Sequence, residues 1–111
     1  MSTVELKKES WSGYFEQLTR ALEGKQALIE VGALPIGNQV AVKWLALLGI
    51  TYDHKDDLLD LDLGEIEHVI QHPASIYVES TASEVRSIEV VDGAGTKHIV
   101  RLREPLLLAH S

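Results

Sequence analysis

The chain has no cysteine, so no disulfide, thiolate zinc site, iron–sulfur cluster or cysteine nucleophile can be built from its 111 residues. It has no long apolar run either. The longest, Trp44 to Ile50, is about a third of the roughly 20 residues a bilayer-crossing helix needs, and Gly49 interrupts it, so no membrane partner is expected. Residues 1–10 are polar, carry Glu5, Lys7, Lys8 and Glu9, and offer no apolar core for a secretory signal. The expected location is therefore cytoplasmic. Basic clusters are missing too: ten Lys and Arg stand against seventeen acids, and no cationic run is longer than Lys7-Lys8. Duplex nucleic acid is bound by cations that displace condensed counterions, so no nucleic-acid partner is expected. There is no Gly-x-Ser-x-Gly elbow and no glycine-rich phosphate loop ahead of a helix. No acid sits in an apolar run that would bury it and raise its pKa for acid–base work. No cofactor is expected, and a non-catalytic role is favoured over an enzymatic one.

What is present is a local concentration of negative charge. Asp53, Asp56, Asp57, Asp60, Asp62, Glu65 and Glu67 fall within fifteen residues against the single cation Lys55, which gives a formal charge of −6 out of the chain's −7. A chain of this length is expected to fold as one domain over residues 1–111, with residues 1–10 flexible and enough core to need no metal or disulfide staple.

Apolar periodicity supplies the elements. Ser10 is placed to cap a helix from Trp11 to Glu23, whose Trp11, Phe15, Leu18 and Leu22 line one face. Gly24 can close that helix in the left-handed conformation, and the period then drops from 3.6 to 2. Ala27, Ile29 and Val31 alternate as a strand that runs into the breakers Gly32 to Asn38. Val40, Val42 and Trp44 begin another strand. From Leu45 to Leu48 both faces are apolar, which fits either a doubly buried strand or a bend where the chain changes faces.

Ile50 and Tyr52, then Leu59, Leu61 and Leu63, flank the turn residues Asp53 to Asp57. Asp at the head of a turn accepts hydrogen bonds from the backbone two residues on, so a hairpin is expected. Gly64 to His72 suits one helical turn or a strand, ended by Pro73. Ser75–Glu79 and Val85–Val91 are further strands, and the last of these pairs with Thr96–Leu102 through Asp92-Gly93-Ala94-Gly95. No internal repeat or low-complexity linker appears. The expected fold is α+β, with one N-terminal amphipathic helix packed on a mainly antiparallel, meandering sheet of five to seven strands. A small, partly closed β-barrel with an N-terminal helix is the alternative.

Several motifs in these segments match a known pattern. They are Trp44 with Leu47-Leu48-Gly49-Ile50-Thr51-Tyr52-Asp53, then Lys55-Asp56-Asp57, His68 with His72-Pro73, and Ile76-Tyr77-Val78. The match continues through Ser87-Ile88-Glu89-Val90-Val91-Asp92 and Ile99-Val100-Arg101-Leu102 to Pro105-Leu106. Over most of its length the chain resembles a family of small, functionally uncharacterised bacterial domains. Tyr52 to Leu61 and Ile88 to Asp92 alone also resemble a second small meander family with a Tyr-Asp-x-x-x-Asp hairpin. Both resemblances imply a fold, and neither implies an activity, cofactor or catalytic residue.

Three candidate sites remain. His68 and His72, four apart, would share a face if helical and could bind a transition metal together with Glu65. If the segment is a strand the rings stand too far apart for one ion, and Pro73 disfavours helix at His72. The carboxylates Asp53, Asp56, Asp57, Asp60 and Asp62 could meet a basic partner surface. As a calcium loop the segment fails, because Lys55 occupies a ligand position and no glycine supplies the sharp turn. Leu106, Leu107 and Leu108, with Leu45 to Leu48, Leu28 and Leu58, offer aliphatic surface for a protein partner or self-association, unless the tail completes the core. The expectation is an interaction or self-associating module; the alternative is a metal- or small-ligand-binding enzyme centred on His68 and His72.

Overall fold

The computed structural model describes residues 2–22, 24–33, 37–82 and 84–104. The period-3.6 segment is helix α1 (Trp11–Ala21), with Trp11 and Phe15 buried along its inner face and Leu22 just beyond its end. Gly24 follows with φ +81°, as the change of period requires. Ser10 does not cap the helix as expected. A single 3-10 turn, Lys8–Ser10, leads straight into α1, and the Ser10 hydroxyl donates to the Lys7 carbonyl (2.7 Å) instead of accepting from the helix.

Among the described residues there are nine strands: β1 (Ser2–Glu5), β2 (Gln26–Ala33), β3 (Gly37–Ala46), β4 (Gly49–Asp53), β5 (Leu58–Asp62), β6 (Glu67–Gln71), β7 (Pro73–Ser80), β8 (Val85–Asp92) and β9 (Lys97–Arg103). They form two antiparallel sheets, a six-stranded one in the order β1-β7-β8-β9-β2-β3 and a three-stranded one in the order β4-β5-β6. The ambiguous stretch before Pro73 is thus strand β6. The large sheet is open: among the described residues β1 pairs only with β7 and β3 only with β2, so the barrel alternative falls. Three strands that could have extended the large sheet toward closure are diverted into the small one. The chain leaves the large sheet at Leu47–Leu48 and returns at His72, so the doubly apolar run from Leu45 is a crossing between sheets.

Two bulges in β3 prepare that crossing. Lys43 and Trp44 together oppose Leu28, and Ala41 is an extra residue between the Ile29–Val42 and Glu30–Val40 pairs. Each bulge inverts the alternation, so Val42 is buried while Val40, expected on the same side, is 54 % exposed.

One continuous core joins three groups. α1 contributes Trp11, Phe15 and Leu22; the small sheet Ile50, Tyr52, Leu59, Leu61, Leu63 and Ile70; one face of the large sheet Ala27, Ile29, Val42, Ile76, Val78, Ile88, Val90, Val100 and Leu102. The free edge of β4 lies against α1. There the Thr19 hydroxyl accepts from the Ile50 N–H (3.0 Å) and donates to the Ile50 carbonyl (3.1 Å), standing in for a neighbouring strand. A side chain at Gly49 would start 3.3 Å from the Thr19 methyl, so glycine lets helix and strand approach this closely. Replacing Thr19 with valine keeps the shape and removes the hydroxyl, leaving both Ile50 groups unpaired. The expected cost is about 1–3 kcal/mol in urea denaturation, with faster amide exchange at Ile50. A change within error would mean that water takes over both bonds.

Candidate functional site

The metal candidates do not come together. His68 lies in the extended strand β6 and is half-buried, whereas His72 lies in the bend beyond the strand's end and is exposed, so the two rings do not share a helical face. Glu65 is exposed in the loop before β6, and among the described residues no group of three or more His, Asp or Glu side chains is placed to hold a metal. Each histidine has a different partner. His72, at φ +51°, reaches Asp57 (Nδ1 to Oδ2 3.3 Å). The other Asp57 oxygen accepts from the Tyr52 hydroxyl (2.8 Å). That bond, aided by His72, holds the Asp57 carboxyl below its ordinary value against the opposing effect of burial. Burial, then the bond to Asp57 and the charges of Asp57 and Asp53, push the Tyr52 phenol up to about 12.

His68 points inward and meets His98 of β9 across the gap between the sheets, Nε2 to Nδ1, at 3.0 Å. His98 is only 7 % exposed, and its Nε2 lies 3.0 Å from Asp92 Oδ2. Asp92 is itself fixed by the turn, since its Oδ1 accepts from the backbone of Ala94 (2.9 Å) and Thr96 (3.0 Å). A carboxylate can only accept, so His98 donates from Nε2. In the neutral pair its Nδ1 then accepts from His68. Burial raises the Asp92 pKa, but the bonds from His98, Thr96 and Ala94 outweigh it and the group titrates below its ordinary value. His68 is held low by burial and by the charge of His98. This ordered chain of three polar groups latches the small sheet to the large one.

Two carboxylates of the acidic hairpin bond its own backbone. Asp53 Oδ1 accepts from Lys55 N (2.9 Å) and Asp56 N (3.3 Å), the expected turn chemistry, and Asp62 Oδ1 accepts from Gly64 N (2.9 Å). Asp60 Oδ1 is buried without a partner among the described residues. A hydrogen bond to Asp60, then its charge, burial and the charge of Asp62, raise the pKa of Glu67. Leu106, Leu107 and Leu108 lie outside the described residues.

The other face of the large sheet is covered by no described element. Across it run Glu5, Tyr77, Glu89, Ile99, Glu30 and Val40 in one row, and Thr3, Glu79, Ser87, Arg101 and Leu28 in the next. Tyr77, Val91, Ile99 and Leu28 are half-buried among charged neighbours. A hollow of about 470 Å³ is lined by Thr3, Tyr77, Glu79, Glu89, Val91 and Lys97. Trp44 also lies on this side, its ring 4.1 Å beneath the Arg103 guanidinium. It gets there through the bulge, at φ +51°, a conformation that costs a bulky residue about 1–3 kcal/mol.

A family model described as "Family of unknown function (DUF5335)" matches residues 2–111. The chain belongs to that family. A relative from Aquifex aeolicus (strain VF5), named "Uncharacterized protein", is 39 % identical over 109 residues, covering 97 % of this chain and 98 % of its own. No solved structure matches. For this DUF5335 chain, no helix among the described residues is long and apolar enough to cross a membrane. Sequence reasoning missed His98 and Asp92 as members of a cluster. The available signal was phase: His98 alternates with Val100 and Leu102 and so points into the core, where an imidazole needs partners.

Proposed function

We propose that this domain is a non-catalytic protein–protein interaction module whose working surface is the open face of the six-stranded sheet. The observation that carries the reading is Trp44. The bulge needs the positive φ, but glycine would adopt it without strain; a tryptophan there on an outer face, with an arginine stacked on it, supports a recognition role for the side chain. The composition of the face agrees: tryptophan, tyrosine and arginine are the residues in which binding hot spots are enriched, and Trp44, Tyr77, Arg101 and Arg103 all stand here. Aliphatic groups lie between them and charges surround them, as in a recognition patch. The two aspartate–histidine clusters join one part of the chain to another, which is a structural use of those side chains.

The test is a benzophenone amino acid incorporated in place of Ile99 in living cells and photolysed. Discrete cross-linked species are expected there and none from the same group in place of Gln17, which is exposed on α1. Equal yields at the two positions would sink the reading.

A further inference from the structure

Resting on that reading, we infer that the partner of the open face is a second copy of this chain, docked face to face about a two-fold axis that runs along the strands between β8 and β9. Charge on this face is zoned. Glu5, Glu79 and Glu89 stand on β1, β7 and β8, whereas β9 presents Lys97, Arg101 and Arg103 in one outward column; beyond it, Glu30 of β2 is paired with Arg101 of the same copy. In a chain of formal charge −7, two copies repel over most of their surfaces, and this column is where an acidic copy can be received. A two-fold axis between β8 and β9 lays each β8 over the partner's β9. Each Glu89 then sits above the partner's Ile99, between the partner's Lys97 and the partner's Arg101. The contact is isologous, so it forms twice and closes on itself.

Within one copy the charges needed are free. Among the described residues Glu89 and Lys97 have no hydrogen-bond or ion-pair partner, and Arg101 is 54 % exposed and engages Glu30 through its Nε alone. The size is also adequate. Six strands about 4.8 Å apart and some seven residues long give a face of roughly 600 Å² per copy. Two such faces bury about 1,200 Å², at the low end of specific interfaces, as suits a reversible dimer.

Sedimentation equilibrium of the full chain tests this. The unaltered protein is expected to dimerise reversibly. Glu89→Lys and Lys97→Glu should each weaken dimerisation at least tenfold with unchanged circular dichroism, because each homodimer would then set like charges against one another twice. Mixed in equal amounts, the two variants should dimerise again, since in the mixed pair both couples between positions 89 and 97 are opposite in sign. A monomer up to millimolar concentration, retained dimerisation in either single variant, or no recovery on mixing would each overturn the proposal. The module reading is separable from it: cross-links from position 99 to a different protein, with a monomeric purified chain, keep the open face as the working surface and remove the second copy.

Discussion

Substituting alanine for His98 is expected to cost about 2–4 kcal/mol of folding stability and to lower the melting temperature by roughly 10–25 °C. Two losses add. The truncated ring leaves a gap in the layer between the sheets, and Asp92 Oδ2 loses the donor that offsets its charge where the side chain is only 16 % exposed. The figure lies below the 3–5 kcal/mol typical of breaking a fully buried pair because Asp92 Oδ1 keeps the backbone N–H groups of Ala94 and Thr96. Asp92→Asn should recover part of the loss in the His98→Ala background, since an amide leaves no uncompensated charge. Strict additivity of the two changes would mean the groups are not coupled.

The same cluster fixes a pH dependence. His68 titrates below its ordinary value of 6.5 in the folded chain. Between that lowered value and 6.5 the unfolded chain binds more protons, so stability is complete above pH 6.5 and falls as the pH drops below it. His68→Gln should remove that slope. Asp92 and Asp57 are also depressed, from 3.8, so their contribution is present above pH 3.8 and is lost as the pH falls through their lowered values. Two separated losses on acidification, the upper one absent in His68→Gln, are the expected melting profile.

Where chemistry is local, the sequence was legible. The helix, the positive φ at Gly24, the Asp53 turn and the Asp92 hairpin all rest on neighbouring residues, and the structure keeps each, although the helix stops at Ala21, two residues before the expected Glu23. Bonds between distant segments were not legible. Nothing near Leu47 says that three strands leave for a second sheet, because a crossing and a doubly buried strand show the same apolar run. Ser10 looked like a cap because a cap is recognised by residue type, whereas the 3-10 turn before it had already claimed its hydroxyl. The histidine pair was sought at a spacing of four and lies instead between residues thirty apart on different sheets. The open face was hidden differently. Its residues alternate with core residues in the expected phase, but the bulges in β3 shift that phase and carry Trp44 outward.

Phe15→Ala is expected to be the most costly single change, about 3–5 kcal/mol, out of a total that for a domain of this size is about 5–15 kcal/mol. Phe15 is fully buried on α1, edge-on to Tyr14 at 5.3 Å, and one turn from Trp11, which meets Tyr52 edge-on at 5.1 Å. Removing the ring opens a cavity under the helix that also holds the edge of β4, so Thr19 should lose its grip on Ile50 and exchange at Ile50 should quicken as well. What makes the substitution informative is the layer it spares. Phe15 lies on the side of the large sheet that faces α1 and the small sheet, and the proposed interface lies on the other. Under conditions where the variant is still folded, Phe15→Ala should therefore leave dimer affinity nearly unchanged, while Glu89→Lys should weaken dimerisation and leave the urea midpoint nearly unchanged. If Phe15→Ala weakened association as strongly as Glu89→Lys, the two faces of the sheet could not be doing separate jobs, and the assignment of one to folding and the other to recognition would be lost.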